Sequence, residues 1–299
     1  MGVISSLHSA LEWSFLLVAS RLALTRDTPG GSSLVVTLTS YPARIGQVHR
    51  TVRTLLWQAE HPIVILYLAL EQFPRRDLDL PPNLARLLRN QSRFEVRYVN
   101  SDTRSFKKLV PALTEFPDKC IVTADDDVLY RRGWLKTLVL TADRHPQTIV
   151  GTRGTTMTVE DGAFTTYSSW APAPFNRSGM DVFLTGRGGI LYPPRALDPI
   201  AAEISVATTV CPDTDDIWFK LAALAAGTPA VRADCGRELV RSTLRSQGGL
   251  YESNVNGHQN DRSLARALAH FGTSTVLAWI YPTCSSVGHH VEESENHES

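Results

Sequence analysis

The sequence predicts an α/β fold in which a mostly parallel sheet is flanked by helices, with a smaller β-rich part later in the chain. Short apolar runs alternate with segments of helical period over residues 34–144, as in chains that form parallel sheets. The runs are almost continuously apolar, which is typical of strands buried on both faces. After residue 144 the segments become shorter and richer in β-forming residues. A chain of 299 residues can bury a large core without disulfide or metal staples.

Strands and helices alternate in the first half of the chain. Apolar runs predict four strands, at residues 34–39, 63–70, 94–99 and 120–124. Helical patterns predict four helices, at about 48–58, 83–88, 106–113 and 134–144. Alternation of this kind implies crossover connections that leave the strands parallel. Because ligands bind at the carboxyl ends of such strands, functional residues are expected at that edge.

The second half of the chain combines short strands with two further helices. Residues 148–158 and 163–169 are β-rich and flank Asp161-Gly162, a pair that favours a hairpin turn. Further predicted elements are a glycine-rich strand entry at 186–192 and helices near 196–206 and about 216–226. Gly227 and Pro229 are expected to end the last of these helices.

The N-terminal stretch, residues 3–24, is apolar but interrupted by His8, Glu12 and Arg21. The interruptions leave no run long enough to span a bilayer, and no basic residue precedes the apolar part as in a signal peptide. We interpret the stretch as an amphipathic helix that packs on the protein or on a partner. A helix lying on a membrane surface is the alternative, which the scarcity of basic residues makes weaker.

The chain divides into three parts by composition. Residues 1–33 form the N-terminal helix and a linker, residues 34–283 the main domain, and residues 284–299 a polar tail expected to be disordered. Lys and Arg total 30 and Asp and Glu total 30, so zero net charge argues against nucleic acid and against an anionic membrane as partners. Four widely spaced cysteines without a C-x-x-C pair indicate reduced thiols, and hence a cytoplasmic protein, with peripheral contact at the inner face of a membrane as the alternative.

Three consecutive aspartates, Asp125, Asp126 and Asp127, directly follow the strand predicted at 120–124. Adjacent carboxylates repel one another, and a divalent cation would offset that repulsion. If strand alternation continues, Asp125 and Asp127 point to the same side about 6–7 Å apart, and Asp126 points to the other. Mg²⁺ is typically held by one or two carboxylates together with substrate phosphates. A solvated acidic turn is the alternative.

A second acidic segment, residues 213–216, precedes the helix predicted at about 216–226. Asp213 or Thr214 can cap that helix, because both residue types accept hydrogen bonds from its first N–H groups. Asp215 and Asp216 exceed what capping needs. One of them is a candidate general base. The alternative is that both only interact with the positive end of the helix dipole.

Three weaker candidates lie elsewhere in the chain. Gly188 and Gly189 either allow a ligand to approach the backbone or form a tight turn, and their segment matches no dinucleotide or P-loop motif. Lys108 opens a predicted helix and could offset the charge of a diphosphate, or simply be solvated. His258, in a polar loop, is either a third metal ligand or a surface residue.

Five segments in order along the chain resemble the nucleotide-sugar glycosyltransferases of GT-A fold, close to the family 2-like enzymes of bacterial surface-polysaccharide synthesis. They are residues 35–42, 105–108, 124–127, 186–189 and 215–218. The resemblance implies a GT-A domain, Mn²⁺ or Mg²⁺ as cofactor, a nucleotide-sugar donor, and a glycan or glycolipid acceptor. It also implies hexosyl transfer, with inversion at the anomeric carbon.

The resemblance further implies roles for residues that meet the donor. The end of the first strand would lie against the nucleotide, through Thr39, Ser40, Tyr41 and Arg44. Lys108 would face the nucleotide, and Gly188 and Gly189 would line the donor-sugar pocket.

The acidic segments would then act as follows. Residues 125–127 resemble a D-x-D motif, with Asp127 on the metal, Asp125 near the metal or the ribose, and Asp126 among the donor-binding residues. Asp216 falls where inverting enzymes carry their base. Asp215 stands in place of a more usual Glu, which leaves open which of the two acts. His258 lies where many such enzymes have a third metal ligand.

Two other classes stay open. A metal-dependent sugar-phosphate nucleotidyltransferase also uses acids on an α/β sheet, but the segment 40–44 lacks the glycine-rich basic loop that such enzymes carry after the first strand. A non-catalytic carbohydrate-binding protein is the other alternative, and the acids at both positions argue against it.

Overall fold

The computed structural model describes residues 13–15, 17–20, 33–236, 239–242 and 259–281. The expectations for most of the linker, for the polar tail and for His258 fall outside these residues. The described strands are β1 (Leu34–Thr39), β2 (Ile63–Ala69), β3 (Phe94–Val99), β4 (Cys120–Thr123), β5 (Val128–Tyr130), β6 (Ile149–Gly151), β7 (Gly154–Thr156), β8 (Val159–Glu160), β9 (Ala163–Phe164), β10 (Ser178–Gly179), β11 (Val182–Leu184), β12 (Ile190–Tyr192), β13 (Ala230–Arg232) and β14 (Val240–Ser242).

The described helices lie mainly between these strands. They are α1 (Ile45–Leu56), α2 (Pro82–Asn90), α3 (Val110–Glu115), α4 (Trp134–Arg144), α5 (Ile204–Val210), α6 (Asp215–Ala225), α7 (Gln259–Phe271) and α8 (Thr273–Ile280). Residues 13–15 and 17–20 are also helical. None of the helices in the described part of the chain is long and apolar enough to cross a membrane.

A mixed eight-stranded sheet organises the molecule, in the order β10-β13-β6-β12-β4-β1-β2-β3. The half formed by β4, β1, β2 and β3 is parallel throughout, and β13 pairs with β6 in parallel. Strand β12 runs antiparallel between β4 and β6. The mostly parallel sheet predicted from the sequence is therefore confirmed. Two-stranded sheets of β7 with β11 and of β8 with β9 form the smaller β-rich part.

The two faces of the sheet carry separate apolar cores, because successive side chains of a strand point to opposite faces. On one face, Val36 and Leu38 of β1 pack with α1, α2 and α4. On the other face, Val35 packs in a core that includes Phe106, α3 and α6. The continuous apolar run of β1 thus reflects burial on both sides, as expected for a central strand.

Local chemistry explains where the predicted helices differ from the observed ones. The helix predicted at 106–113 is a helical turn at Arg104–Lys108 followed by α3, because Pro111 lacks an N–H and is tolerated only in the first turn of a helix. Pro199 similarly begins a helical turn, Pro199–Ala202, ahead of α5. The predicted hairpin is confirmed, with Asp161 and Gly162 at φ 49° and 77° between β8 and β9.

Candidate functional site

The carboxyl ends of β1 and β4 meet because the two strands are parallel neighbours, with Thr37 opposite Thr123. The Ser40 hydroxyl donates to Asp126 Oδ2 at 2.5 Å. Arg44 Nη1 lies 3.1 Å from Asp126 Oδ1 and 3.2 Å from Asp127 Oδ2. The structure thereby places the residues after β1 directly against the acidic triplet.

The alternation expected for the triplet is wrong, because β4 ends at Thr123 and the aspartates occupy the turn that follows. Asp126 turns toward β1 and is only 7% exposed. Its carbonyl accepts a hydrogen bond from the Thr51 hydroxyl at 2.9 Å. Asp126 and Asp127 therefore share Arg44 instead of pointing to opposite sides.

The electrostatics of the triplet favour an added positive charge. Burial raises the pKa of Asp126, and the Ser40 hydroxyl and the Arg44 charge oppose the rise. Burial also raises the pKa of Asp127; Arg44 opposes this rise, and the charge of Asp125 adds to it. A cation near Asp125 and Asp127 would relieve this repulsion.

Lys108 joins the triplet to the second acidic segment. Its Nζ lies 3.3 Å from Asp125 Oδ1 and 3.2 Å from Asp215 Oδ2, and its side chain is 9% exposed. Burial disfavours the ammonium form, but the charges of Asp215, Asp125 and Asp216 hold the pKa of Lys108 well above its usual range. This side chain is therefore a buried cation shared by carboxylates from two distant parts of the sequence.

Asp216 lies in the first turn of α6 and faces the same cluster. Its Oδ2 accepts a hydrogen bond from the Gly186 N–H at 3.0 Å. Burial and the neighbouring charge of Asp215 raise its pKa to about 7, while Lys108 opposes the rise. A carboxylate with this pKa can exchange a proton near neutral pH, as a general base must.

The expectation that Asp213 or Thr214 caps α6 is not met. Thr214 is the N-cap residue and makes no side-chain cap hydrogen bond. Asp213 instead pairs with Arg104. The acids of this segment therefore make contacts across the site rather than serving the end of their own helix.

The glycine-rich segment is packed tightly against the protein. The Gly188 carbonyl accepts hydrogen bonds from Trp134 Nε1 at 2.8 Å and from the Thr152 hydroxyl at 2.9 Å. Gly189 has φ +81°, and a Cβ atom there would lie 2.3 Å from Trp134 Cζ2. Gly188 and Gly189 are buried, so their backbone is held by neighbouring side chains.

Two residues missed by sequence reasoning belong to this site. A Cβ atom on Gly186 would lie 3.1 Å from both Asp216 Oδ1 and Lys108 Nζ, so a larger residue would have to shift these two groups slightly. The glycine-rich segment itself was the signal for this residue. The buried hydroxyl of Tyr130 accepts a hydrogen bond from the Asp125 N–H at 2.8 Å, and no sequence pattern marked it.

Thr39 and Tyr41 lie at the same end of β1 but have different surroundings. The Thr39 hydroxyl donates to the Tyr67 carbonyl at 2.9 Å, which fixes it against β2. The Tyr41 side chain is 42% exposed, and its ring centroid lies 5.5 Å from the Arg44 guanidinium carbon. Tyr41 is thus a partly exposed aromatic residue beside the acidic edge, with Arg44 over its ring.

The donor set suits a cation bound jointly with a phosphorylated ligand. Within the described residues, no three His, Cys, Asp or Glu side chains are arranged to hold a metal ion, and His258 lies outside them. Asp125 and Asp127 have side chains that are 27% and 19% exposed, so both can accept a ligand from solvent. Mg²⁺ is commonly bound by one or two protein carboxylates together with substrate phosphates. Asp125 and Asp127 therefore fit a divalent cation.

No protein-family model matches the chain, and no curated protein matches it. What the site can do therefore follows from its chemistry. A cationic side chain, two partly exposed carboxylates and a carboxylate of raised pKa lie together at the carboxyl edge of the sheet. This set can bind a phosphorylated ligand through a cation and accept a proton beside it.

Proposed function

We propose that the protein is a metal-dependent glycosyltransferase of GT-A type. It moves a sugar from a nucleoside-diphosphate sugar to a hydroxyl of a glycan or glycolipid acceptor, with inversion. The observation that carries the proposal is the position of Lys108, within 3.3 Å of Asp125 and 3.2 Å of Asp215. Through it, the candidate metal ligands and the candidate base form one continuous site.

The donor half of the site lies at the ends of β1 and β4. Asp125 and Asp127 would hold Mn²⁺ or Mg²⁺, which, when bound, offsets the charge that grows on the departing diphosphate. Arg44 holds Asp126 and Asp127 in place through its two contacts. The exposed aromatic ring of Tyr41 suits stacking with the nucleotide base.

Asp216 is the proposed base. Its carboxylate takes the proton of the acceptor hydroxyl as that oxygen forms a bond to the anomeric carbon. The bond from the anomeric carbon to the diphosphate oxygen breaks with its electron pair on the leaving nucleoside diphosphate. Attack from the face opposite the leaving group inverts the configuration. The hydrogen bond from the Gly186 N–H fixes one oxygen of Asp216 and leaves the other for the hydroxyl.

Lys108 positions these groups. Its ammonium lies beside both Asp215 and Asp125 and offsets the repulsion between these carboxylates. It also limits how far the pKa of Asp216 rises, so that the carboxylate is substantially ionised at neutral pH. We therefore expect donor binding and base strength to depend on this one cation.

A donor screen tests the proposal. The purified protein is incubated with common sugar nucleotides and Mn²⁺, with mixed glycan and glycolipid acceptors, and release of nucleoside diphosphate is measured. Release from one donor class that stops on chelation of the metal is the expected result. A parallel incubation supplies a nucleoside triphosphate and a sugar phosphate, and release of pyrophosphate there, with none of nucleoside diphosphate from the sugar nucleotides, would identify a nucleotidyltransferase instead.

The variant Asp216→Asn tests the base. It should keep donor binding in calorimetry and lower turnover by about 10²–10⁴-fold, as loss of a general base does. The matched control is Asp118→Asn, whose side chain is 79% exposed. Full turnover in Asp216→Asn would remove the base assignment.

A further inference from the structure

The N-terminal helical segment exposes apolar side chains to solvent. It consists of residues 13–15 and 17–20. Its inner side is packed, since Trp13 and Leu17 contact Leu129 and Trp57. Its outer side carries Phe15 and Val18, which are 73% and 57% exposed. These two residues are three positions apart and so lie on one face of the helix.

A groove of about 260 Å³ runs between this segment and α1. Leu17 and Val18 line one side of the groove, and His49, Arg50 and Arg53 line the other. Its surface is mainly apolar, so the basic residues present their hydrocarbon stems to it and their charged ends lie at its edge. We call this feature the cationic groove, after the basic residues along one side, and Phe15 with Val18 its apolar rim. The segment contributes the apolar surface, and α1 contributes the basic residues.

Among the described residues, the charges that act on His49 beside the groove are those of three arginines. Partial burial lowers the pKa of His49, and the charges of Arg53, Arg50 and Arg86 lower it further. The whole chain has zero net charge, so this concentration of cations is local.

We propose that the cationic groove and its apolar rim bind the surface of a membrane that contains anionic phospholipids. An interfacial helix inserts its apolar face among the acyl chains while basic side chains meet the headgroups. The N-terminal stretch itself is poor in basic residues, so its sequence alone argues against a helix that lies on a membrane surface. In the folded protein, α1 supplies the basic residues from another part of the chain. This inference does not depend on the proposed glycosyl transfer.

Vesicle co-sedimentation of the full chain tests the proposal. One arm uses phosphatidylcholine alone, and the other uses phosphatidylcholine mixed with phosphatidylglycerol. We expect binding to the mixed vesicles only, and its loss at about 1 M salt, where the Debye length is about 3 Å. Equal binding to both vesicles, or to neither, would overturn the proposal.

Matched variants locate the binding surface. Arg50→Glu changes the charge by two units and should weaken binding about 25-fold, at about fivefold per basic charge. Arg195→Glu makes the same change at a side chain that is 85% exposed elsewhere, and should leave binding intact. Phe15→Ser should weaken binding about tenfold or more. Leu78→Ser, at a residue 81% exposed, should not.

Sedimentation of the same variants without vesicles distinguishes a second copy of the chain as the occupant. A self-association that Arg50→Glu abolishes, together with unchanged vesicle binding, would overturn the proposal. Monomeric protein with vesicle binding lost only in Arg50→Glu and Phe15→Ser would support it.

Discussion

The ammonium of Lys108 lies 3.2 Å from a carboxylate oxygen of Asp215. Lys108 follows β3, whereas Asp215 begins α6, so this ion pair connects two elements that are far apart in sequence. Both side chains are about one tenth exposed. The pair therefore holds the start of α6 against the edge of the sheet that carries the acidic triplet.

Replacing Lys108 tests this connection. Lys108→Met leaves buried carboxylates without their shared cation, so it should lower the free energy of unfolding by about 3–5 kcal/mol, as breaking a buried ion pair does. The measurement is urea unfolding at neutral pH. Lys136→Met, at an exposed lysine of α4, should change stability by no more than about 0.5 kcal/mol. Equal losses in the two variants would contradict the role given to Lys108.

The raised pKa of Asp216 predicts how stability depends on pH. The pKa is about 7 in the folded protein, against 3.8 for an ordinary aspartate. Between these two pH values, Asp216 is protonated in the folded protein but ionised in the unfolded chain. Its contribution to the free energy of unfolding is therefore complete below about pH 4 and is lost as pH rises through about 7. Asp216→Asn has no carboxyl group to ionise at this position, so its free energy of unfolding does not fall for this reason as pH rises. The stability of the variant relative to the original protein should therefore increase from pH 4 to pH 8 in urea unfolding, whereas Asp118→Asn should follow the original protein.

The same pKa predicts the pH dependence of the proposed transfer. Since the base must be ionised, kcat/KM should rise about tenfold per pH unit below about 7 and level off above it. Steady-state rates across this range, at saturating metal, provide the measurement. A profile that is flat through pH 7 would argue against Asp216 as the group that takes the proton.

Asp127 tests the metal assignment. Asp127→Ala removes one of the two partly exposed carboxylates and should abolish transfer that depends on Mn²⁺. Calorimetric titration of the donor, with and without Mn²⁺, should show that the metal no longer strengthens donor binding. Asp118→Ala is the control at an exposed carboxylate. Donor binding that the metal strengthens equally in both variants would exclude Asp127 as a ligand.

Gly189 tests how firmly the glycine-rich segment is packed. Gly189→Ala combines backbone strain at φ +81° with a Cβ atom 2.3 Å from Trp134 Cζ2. Gly162→Ala is the matched control, because its φ is +77° and nothing lies within 4 Å of the added atom. The control should lose about 1–2 kcal/mol from strain alone, and Gly189→Ala should lose about 1–3 kcal/mol more, from overpacking and from its ψ of 142°, which lies outside the left-handed helical region. Thermal or urea unfolding of both variants gives the difference, and equal losses would show that the Trp134 contact relaxes without cost.

Elements with a local pattern of apolar residues could be predicted from the sequence. The strands at 34–39 and 94–99 and the helix at 134–144 agree with the observed bounds, because burial and periodicity along the chain define them. The acids after β4 and at the start of α6 were also visible as sequence, since charged residues beside apolar elements stand out.

Which of these residues contact one another depends on how the chain folds. No sequence pattern reveals that Lys108 lies between Asp125 and Asp215, that β12 runs antiparallel beside β4, or that α1 supplies cations to the N-terminal segment. Such contacts join residues that are distant along the chain, and they depend on sheet order and helix packing. Local propensity determines neither sheet order nor helix packing. The pKa shifts and the surfaces that depend on these contacts therefore could not be predicted from the sequence.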